Sequence, residues 1–222
     1  MLFRSGSAQV KLYGDCHGEK GAVVCSTKQT GYGMTVSNEK VFSDYNSIEL
    51  RLSVSGKGSF ADDILGVWLT EDRLAEEQIA HRSVGWKGLG VIIHNTSSRK
   101  GEQNVHLLYN DGSVTYNYTT PSSNMVSSRG CAIIASDIEV ISIINEMDHY
   151  ELLVNNKLCT SIEKHLRRGL FLTVSSNTRN VEYSIKELSI EDTTPQKTLT
   201  PSTIYELQTI EPIKREYTAL EL

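Results

Sequence analysis

In the stretch SIELRLSVSG (residues 47–56), Ile48, Leu50, Leu52 and Val54 share one parity, and Glu49, Arg51 and Ser53 share the other. A helix would scatter these side chains around its axis. An extended strand puts the apolar set on one face and the polar set on the opposite face. Other short runs of strand character recur along the chain: AVVCST (22–27), ILGVWLTE (64–71) and GLGVIIHN (88–95). Each is bounded by Gly, Asn, Asp or Ser, the residues of turns. NVHLLYNDGSVTYNYTT (104–120) predicts a hairpin turning at Asn110-Asp111-Gly112, where glycine supplies positive φ. EVISII (139–144) and YELLVNNKLCTSI (150–162) predict a second hairpin, which turns again at Asn155-Asn156-Lys157. LFLTVSS (170–176) and VEYSIKELSIED (181–192) add two further strands. TEDRLAEEQIAHR (70–82), with Leu74 and Ile79, predicts one short helical excursion. The pattern is that of an all-β, antiparallel β-sandwich with little helix.

The chain has 222 residues, enough to bury a substantial core in one large domain. Its character changes at Thr193. TTPQKTLTP reads as a Thr/Pro linker, and the rest of the tail carries a weak helical pattern. The expected division is a sandwich over 1–192 and, over 193–222, the start of a stalk or an extension docked back onto it.

A net charge of −5 with scattered Lys and Arg argues against a nucleic-acid partner and against a polybasic membrane patch. The longest apolar run, 131–144, is too short to span a bilayer and holds Asp137 and Glu139. The start, MLFRSGSAQV, is too short for a secretory signal, so the chain is either cytosolic or had its signal removed. The four cysteines, Cys16, Cys25, Cys131 and Cys159, form no CxxC motif, which speaks against zinc. An even count with pairwise spacing fits two disulfides in an oxidising compartment; four buried thiols is the alternative. Two glycosylation acceptors, at Asn95 and Asn117, favour the secretory pathway.

The sequence argues against an enzyme. Glu146, Asp148 and Glu151 resemble the carboxylate pair of a retaining glycan hydrolase. They fall at a hairpin tip, however, with too few apolar neighbours to raise one pKa for acid catalysis. His17, His81, His106, His149 and His165 form no ligand pattern. Gly88-Leu89-Gly90 lies inside an apolar strand, where it reads as close backbone packing. AIIASD lacks the glycines of a nucleophile elbow.

The order of the motifs carries a resemblance. Gly56-Lys57-Gly58, Asp63 to Trp68, Trp86-Lys87-Gly88-Leu89-Gly90 and Asn110-Asp111-Gly112 occur in the order seen in the L-type (leguminous-type) lectin domains of ER–Golgi cargo receptors. The chain resembles that family over residues 18–192, and the fungal members with altered metal loops most of all. The resemblance implies a concanavalin-like jelly roll and a Cys131–Cys159 disulfide. A Cys16–Cys25 bond has no certain family counterpart and rests on spacing alone.

The resemblance also implies a site. The carboxylate that binds mannose falls on Asp63, followed by Ile64 where glycine is usual. The metal loop starts at His94 instead of Asp. Its backbone ligand falls on Thr96 and its Asn on Ser98. The family's turn histidine falls on Leu108 and its aspartate ligand on Asp111. The late Gly-Gly pair falls near Arg179 and Asn180. Calcium wants six to eight oxygens, several of them carboxylates, and residues 94–100 offer none. The expectation is therefore no cofactor and no family-type calcium site, with Asp111 the residual metal candidate. Arg99, Lys100 or Arg179 would then supply positive charge beside Asp63 or Asp111.

Carbohydrate contacts are expected from Asp63, Ser98, Arg179 and Asn180, with Tyr109 stacking on a sugar ring. A glycan on Asn95 would sit on the site loop itself. The implied role is recognition of high-mannose glycans or glycoprotein cargo in the ER–Golgi lumen, as the ectodomain of a membrane receptor. Any membrane attachment would come from a segment outside this chain. The alternative is a lectin-fold module that has lost sugar binding and contacts a protein. The tail could hold a protein partner or a second copy.

Overall fold

A computed structural model describes residues 10–20, 22–26, 31–42, 46–56, 63–80, 83–95, 102–117, 126–134, 137–166, 169–176 and 181–192. Two seven-stranded antiparallel sheets face each other. The front sheet runs β1 (Val10–Gly14), β4 (Gly33–Phe42), β15 (Leu170–Ser176), β6 (Asp63–Thr70), β8 (Gly88–Asn95), β9 (Glu102–Asn110) and β11 (Val126–Ile134). The back sheet runs β14 (Lys157–Glu163), β13 (His149–Val154), β12 (Val140–Glu146), β5 (Asn46–Gly56), β16 (Val181–Asp192), β3 (Ala22–Ser26) and β2 (Cys16–Glu19). Two short strands, β7 (Ser83–Gly85) and β10 (Thr115–Asn117), pair with each other.

The alternation in β5 works as read. Ile48, Leu50, Leu52 and Val54 are buried in the main core, while Glu49 and Arg51 pair with each other on the outside. Leu65, Val67 and Leu69 of β6 meet this core from the other sheet, together with Leu89, Val91 and Ile93 of β8. Strands β6 and β8 are apolar on both faces because the front sheet is covered in part on its outer side as well. Trp68, Ile92 and Leu108 join Trp86, Leu74 and Ile79 in a second cluster there. Ile79 belongs to the only helix among the described residues, α1 (Glu76–Ala80), so the predicted excursion is real but short. Tyr32 donates a hydrogen bond to Glu76 and ties this helix to β4.

The glycines of GLG serve the packing expected of them. A Cβ on Gly90 would lie 3.0 Å from the Trp68 ring and 3.2 Å from Trp86. The two rings meet edge to face, 5.3 Å apart, and Trp68 Nε1 donates to Ser175 Oγ.

Both disulfides form. Cys16–Cys25 links directly paired residues of β2 and β3, and Cys131–Cys159 ties the edge strand of one sheet to that of the other. The hairpin of β12 and β13 forms with its tip at Met147-Asp148, and Asn155-Asn156 make the next turn with positive φ.

The hairpin expected over 104–120 does not form. Both edges of β9 are taken, by β8 and by β11, so the segment after the Asn-Asp-Gly turn has no partner there. The Asn110 side chain instead accepts from the Gly112 and Val114 amides and donates to the Val114 carbonyl. The chain leaves the sheet, and β10 pairs with β7.

Candidate functional site

The register places several connections at one end of the sandwich. Asp63, the first residue of β6, pairs with His94 near the end of β8, and His94 pairs with Asn104 near the start of β9. Ser175, close to the end of β15, pairs with Gly66. In the back sheet Gly56, the last residue of β5, pairs with Val181, the first of β16. The connections 57–62, 96–101 and 177–180 therefore all start and finish at this end.

Strand parity defines the outer face of the front sheet at this end. Ile93, Val105 and Leu107 point into the main core, so His94, Asn104 and His106 belong to the outer face of the front sheet. All three are half-buried. Further along the same face the side chains become apolar, with Trp68, Ile92 and Leu108 in the second cluster. The outer face thus divides into a polar half at the Asp63 end and an apolar half covered by α1.

Asp63 and His94 are Cα partners in register. Thr96, Ser98, Arg99, Lys100, Arg179 and Asn180 lie outside the described residues, as does the tail 193–222. Asn95 and Asn117 end β8 and β10, and their side chains, like that of Asp63, lie outside the described part.

Asp111 is a correction. It follows Asn110, which pairs with Gly88 at the far end of β8. That is about 20 Å from His94 at ~3.4 Å per residue of strand. Asp111 thus lies at the opposite end of the β8–β9 pair from His94. Its carboxylate accepts the Ser113 amide at 2.9 Å, and hydrogen bonds from Ser113 hold its pKa below the usual range. Leu108, placed on the family's turn histidine, is buried in the second cluster. Tyr109 is also displaced from the expected role. It lies near the Asp111 end, paired with Leu89, on the core-facing side of β9, with Lys164 Nζ 5.4 Å from its ring centre. One strand cannot offer residues at both of its ends to a single sugar, and the order of motifs along the sequence does not show which end each one reaches.

Asn104 and His106 are the residues that sequence reasoning missed. His106 looked like one scattered histidine among several. The signal was the parity of QNVHLLYN, where Val105 and Leu107 alternate with Asn104 and His106. Glu146, Asp148 and Glu151 are solvated, as expected of a tip. Asp148 pairs with His165 at 2.7 Å, and Glu151 with His149 at 3.4 Å. Among the described residues, no three His, Cys, Asp or Glu side chains converge on a metal position.

Two facing seven-stranded antiparallel sheets form the β-sandwich. The chain belongs to the legume-like lectin family, whose sequence model matches residues 7–198. No curated protein matches it in sequence. Among solved structures, the exoplasmic/lumenal domain of VIP36, bound to calcium and mannose, is similar at a TM-score of 0.71 and 15% identity. That match covers 86% of this chain and 85% of that one. The carbohydrate recognition domain of Emp46p, in a potassium-bound form, is similar at 0.65 and 17%, covering 83% and 88%. A legume lectin-like domain from Entamoeba histolytica is similar at 0.59 and 18%, covering 82% and 89%. At these identities the likeness is one of fold.

Proposed function

We propose that this domain binds glycans at the end of the sandwich where Asp63, His94 and Asn104 stand in one cross-strand row. That row carries the reading. It sets a carboxylate-bearing residue beside an imidazole and an amide, and such groups accept from and donate to sugar hydroxyls. Ser98, Arg179 and Asn180 belong to connections that begin at the same end. The ligand class we infer is high-mannose glycan on glycoprotein cargo, in the lumen of the ER and Golgi. It draws support from VIP36, a lumenal domain solved with mannose. The activity is recognition with no bond broken.

Binding proceeds without a family-type calcium ion. Imidazole at position 94 is a poor calcium donor, and Asp111 belongs to the other end of the strand. No step of recognition is therefore routed through calcium. His94 in place of a carboxylate also supports a second reading, a lectin-fold module that contacts a protein. The test is glycan-array binding with calcium and with chelator, beside Asp63→Ala. Binding to mannose-type glycans that survives the chelator and disappears in the variant is expected. Absence of glycan binding in every condition would overturn the lectin reading and favour the protein module.

A further inference from the structure

We propose that the Tyr183 hydroxyl is the anchor that positions the connection 177–180 for glycan binding, so that Tyr183 sets the affinity of the site without touching the sugar. This inference rests on the glycan reading above. The connection leaves the front sheet at Ser176, the last residue of β15, and enters the back sheet at Val181, the first of β16. It carries Arg179 and Asn180, two of the residues expected to contact sugar. Its two flanks lie in different sheets, so no ladder hydrogen bond joins them. The Tyr183 side chain bridges them instead. Its hydroxyl donates to the Val174 carbonyl at 3.0 Å, reaching from the third residue of β16 to the third residue from the end of β15. The same hydroxyl stands 3.2 Å from the Gly33 carbonyl oxygen, and Gly33 is the β4 partner of Ser176.

The surroundings hold that hydroxyl in place. Tyr183 is fully buried, so it cannot itself reach a ligand. On β16 it pairs with Val54 on one side and with Cys25 on the other. Cys25 is bonded to Cys16, whose Sγ lies 3.8 Å from the Tyr183 oxygen. The disulfide packs closely on Gly33, where an added Cβ would lie 3.0 Å from the Cys25 Cβ and 3.1 Å from the Cys16 Sγ. The carbonyl that faces Tyr183 is therefore backed by a covalent link between two strands. A buried hydroxyl bonded across the two sheets removes arrangements in which the flanks of the connection part. Groups that the fold has already fixed lose less freedom when a ligand arrives. Apparent affinity falls in proportion to the fraction of molecules in the binding arrangement.

The experiment compares wild type, Tyr183→Phe and Tyr150→Phe. Tyr150 is buried just as deeply, but it lies beside the β12–β13 tip at the opposite end, paired with Asn145. Affinity for a high-mannose oligosaccharide, measured by calorimetric titration, should fall at least ~5-fold in Tyr183→Phe, as when the binding arrangement drops to about a fifth of the molecules. It should stay unchanged in Tyr150→Phe. The backbone amide resonances of 177–180 in sugar-free protein should shift in Tyr183→Phe alone. Affinity unchanged in Tyr183→Phe, or lowered equally by both substitutions, would overturn the proposal. A wild type with no glycan affinity would refute the glycan reading instead. Resonances of 177–180 identical in wild type and Tyr183→Phe would refute the anchor itself, with or without glycan binding.

Discussion

Gly88→Ala should cost this domain a large share of its stability, and the structure sets the size. Gly88 has φ +141, a region that side chains beyond glycine rarely enter. A Cβ there would lie 2.0 Å from the Leu69 carbonyl oxygen and 3.1 Å from the Thr70 Cα. Gly88 pairs with Thr70, so this backbone is part of the β6–β8 ladder and cannot yield without unpairing it. Backbone strain of ~1–3 kcal/mol adds to an overpacking cost of ~1–3 kcal/mol, or roughly 2–6 kcal/mol together. A domain of ordinary stability holds only ~5–15 kcal/mol.

Gly90→Ala should cost less, about 1–2 kcal/mol, because its Cβ would meet side-chain ring atoms at 3.0–3.2 Å and not backbone. Gly18→Ala is the control, with nothing within 4 Å of the added carbon. The assay is urea unfolding under non-reducing conditions, followed by the fluorescence of Trp68 and Trp86, both buried. The expected order of destabilisation is Gly88, then Gly90, then Gly18. A Gly88→Ala protein as stable as the Gly18→Ala control would refute the argument that β8 starts under a close backbone contact.

Three further outcomes are expected. Met147 sits at φ +62 at the tip of the β12–β13 hairpin with 57% of its surface exposed, so Met147→Gly should raise stability by ~0.5–1 kcal/mol, read as a higher melting temperature. The hydrogen bond to Glu76 and partial burial push the Tyr32 pKa up from 10.0 to about 12. The unfolded chain therefore loses this proton first, and stability should fall as pH climbs from 10 towards 12; Tyr32→Phe should show a flatter decline in the same window, measured by urea midpoints. Asp111→Asn should leave glycan binding unchanged while Asp63→Ala abolishes it, and equal loss in both would contradict the placement of Asp111 at the far end of β8.

Much of the sandwich could be read directly from periodicity. The alternation of Ile48, Leu50, Leu52 and Val54 predicted a strand with one buried face, and the tertiary structure buries those four. Gly88-Leu89-Gly90 predicted close backbone packing and makes it against Leu69 and Trp68. The even cysteine count fitted two disulfides, the resemblance implied Cys131–Cys159, and two bonds form. Strand partners were less legible. The Asn-Asp-Gly turn carries every local sign of a hairpin, yet β9 was already paired on both sides. Local chemistry decides whether a chain turns. Competition for sheet edges decides where it goes next.

The sequence by itself determined most element types, the parity of each strand and membership of the legume-like lectin family, because these depend on local spacing and residue order. Only the tertiary structure decided which residues become neighbours. Asp63, His94 and Asn104 come from three strands and stand in one cross-strand row through register. Asp111 and Tyr109, close to His106 in sequence, are carried to the other end by ~3.4 Å of rise per residue, and Tyr109 also to the other face by the pleat. Proximity along a strand is not proximity in a site, because an extended chain moves away from its own neighbours faster than any other regular structure.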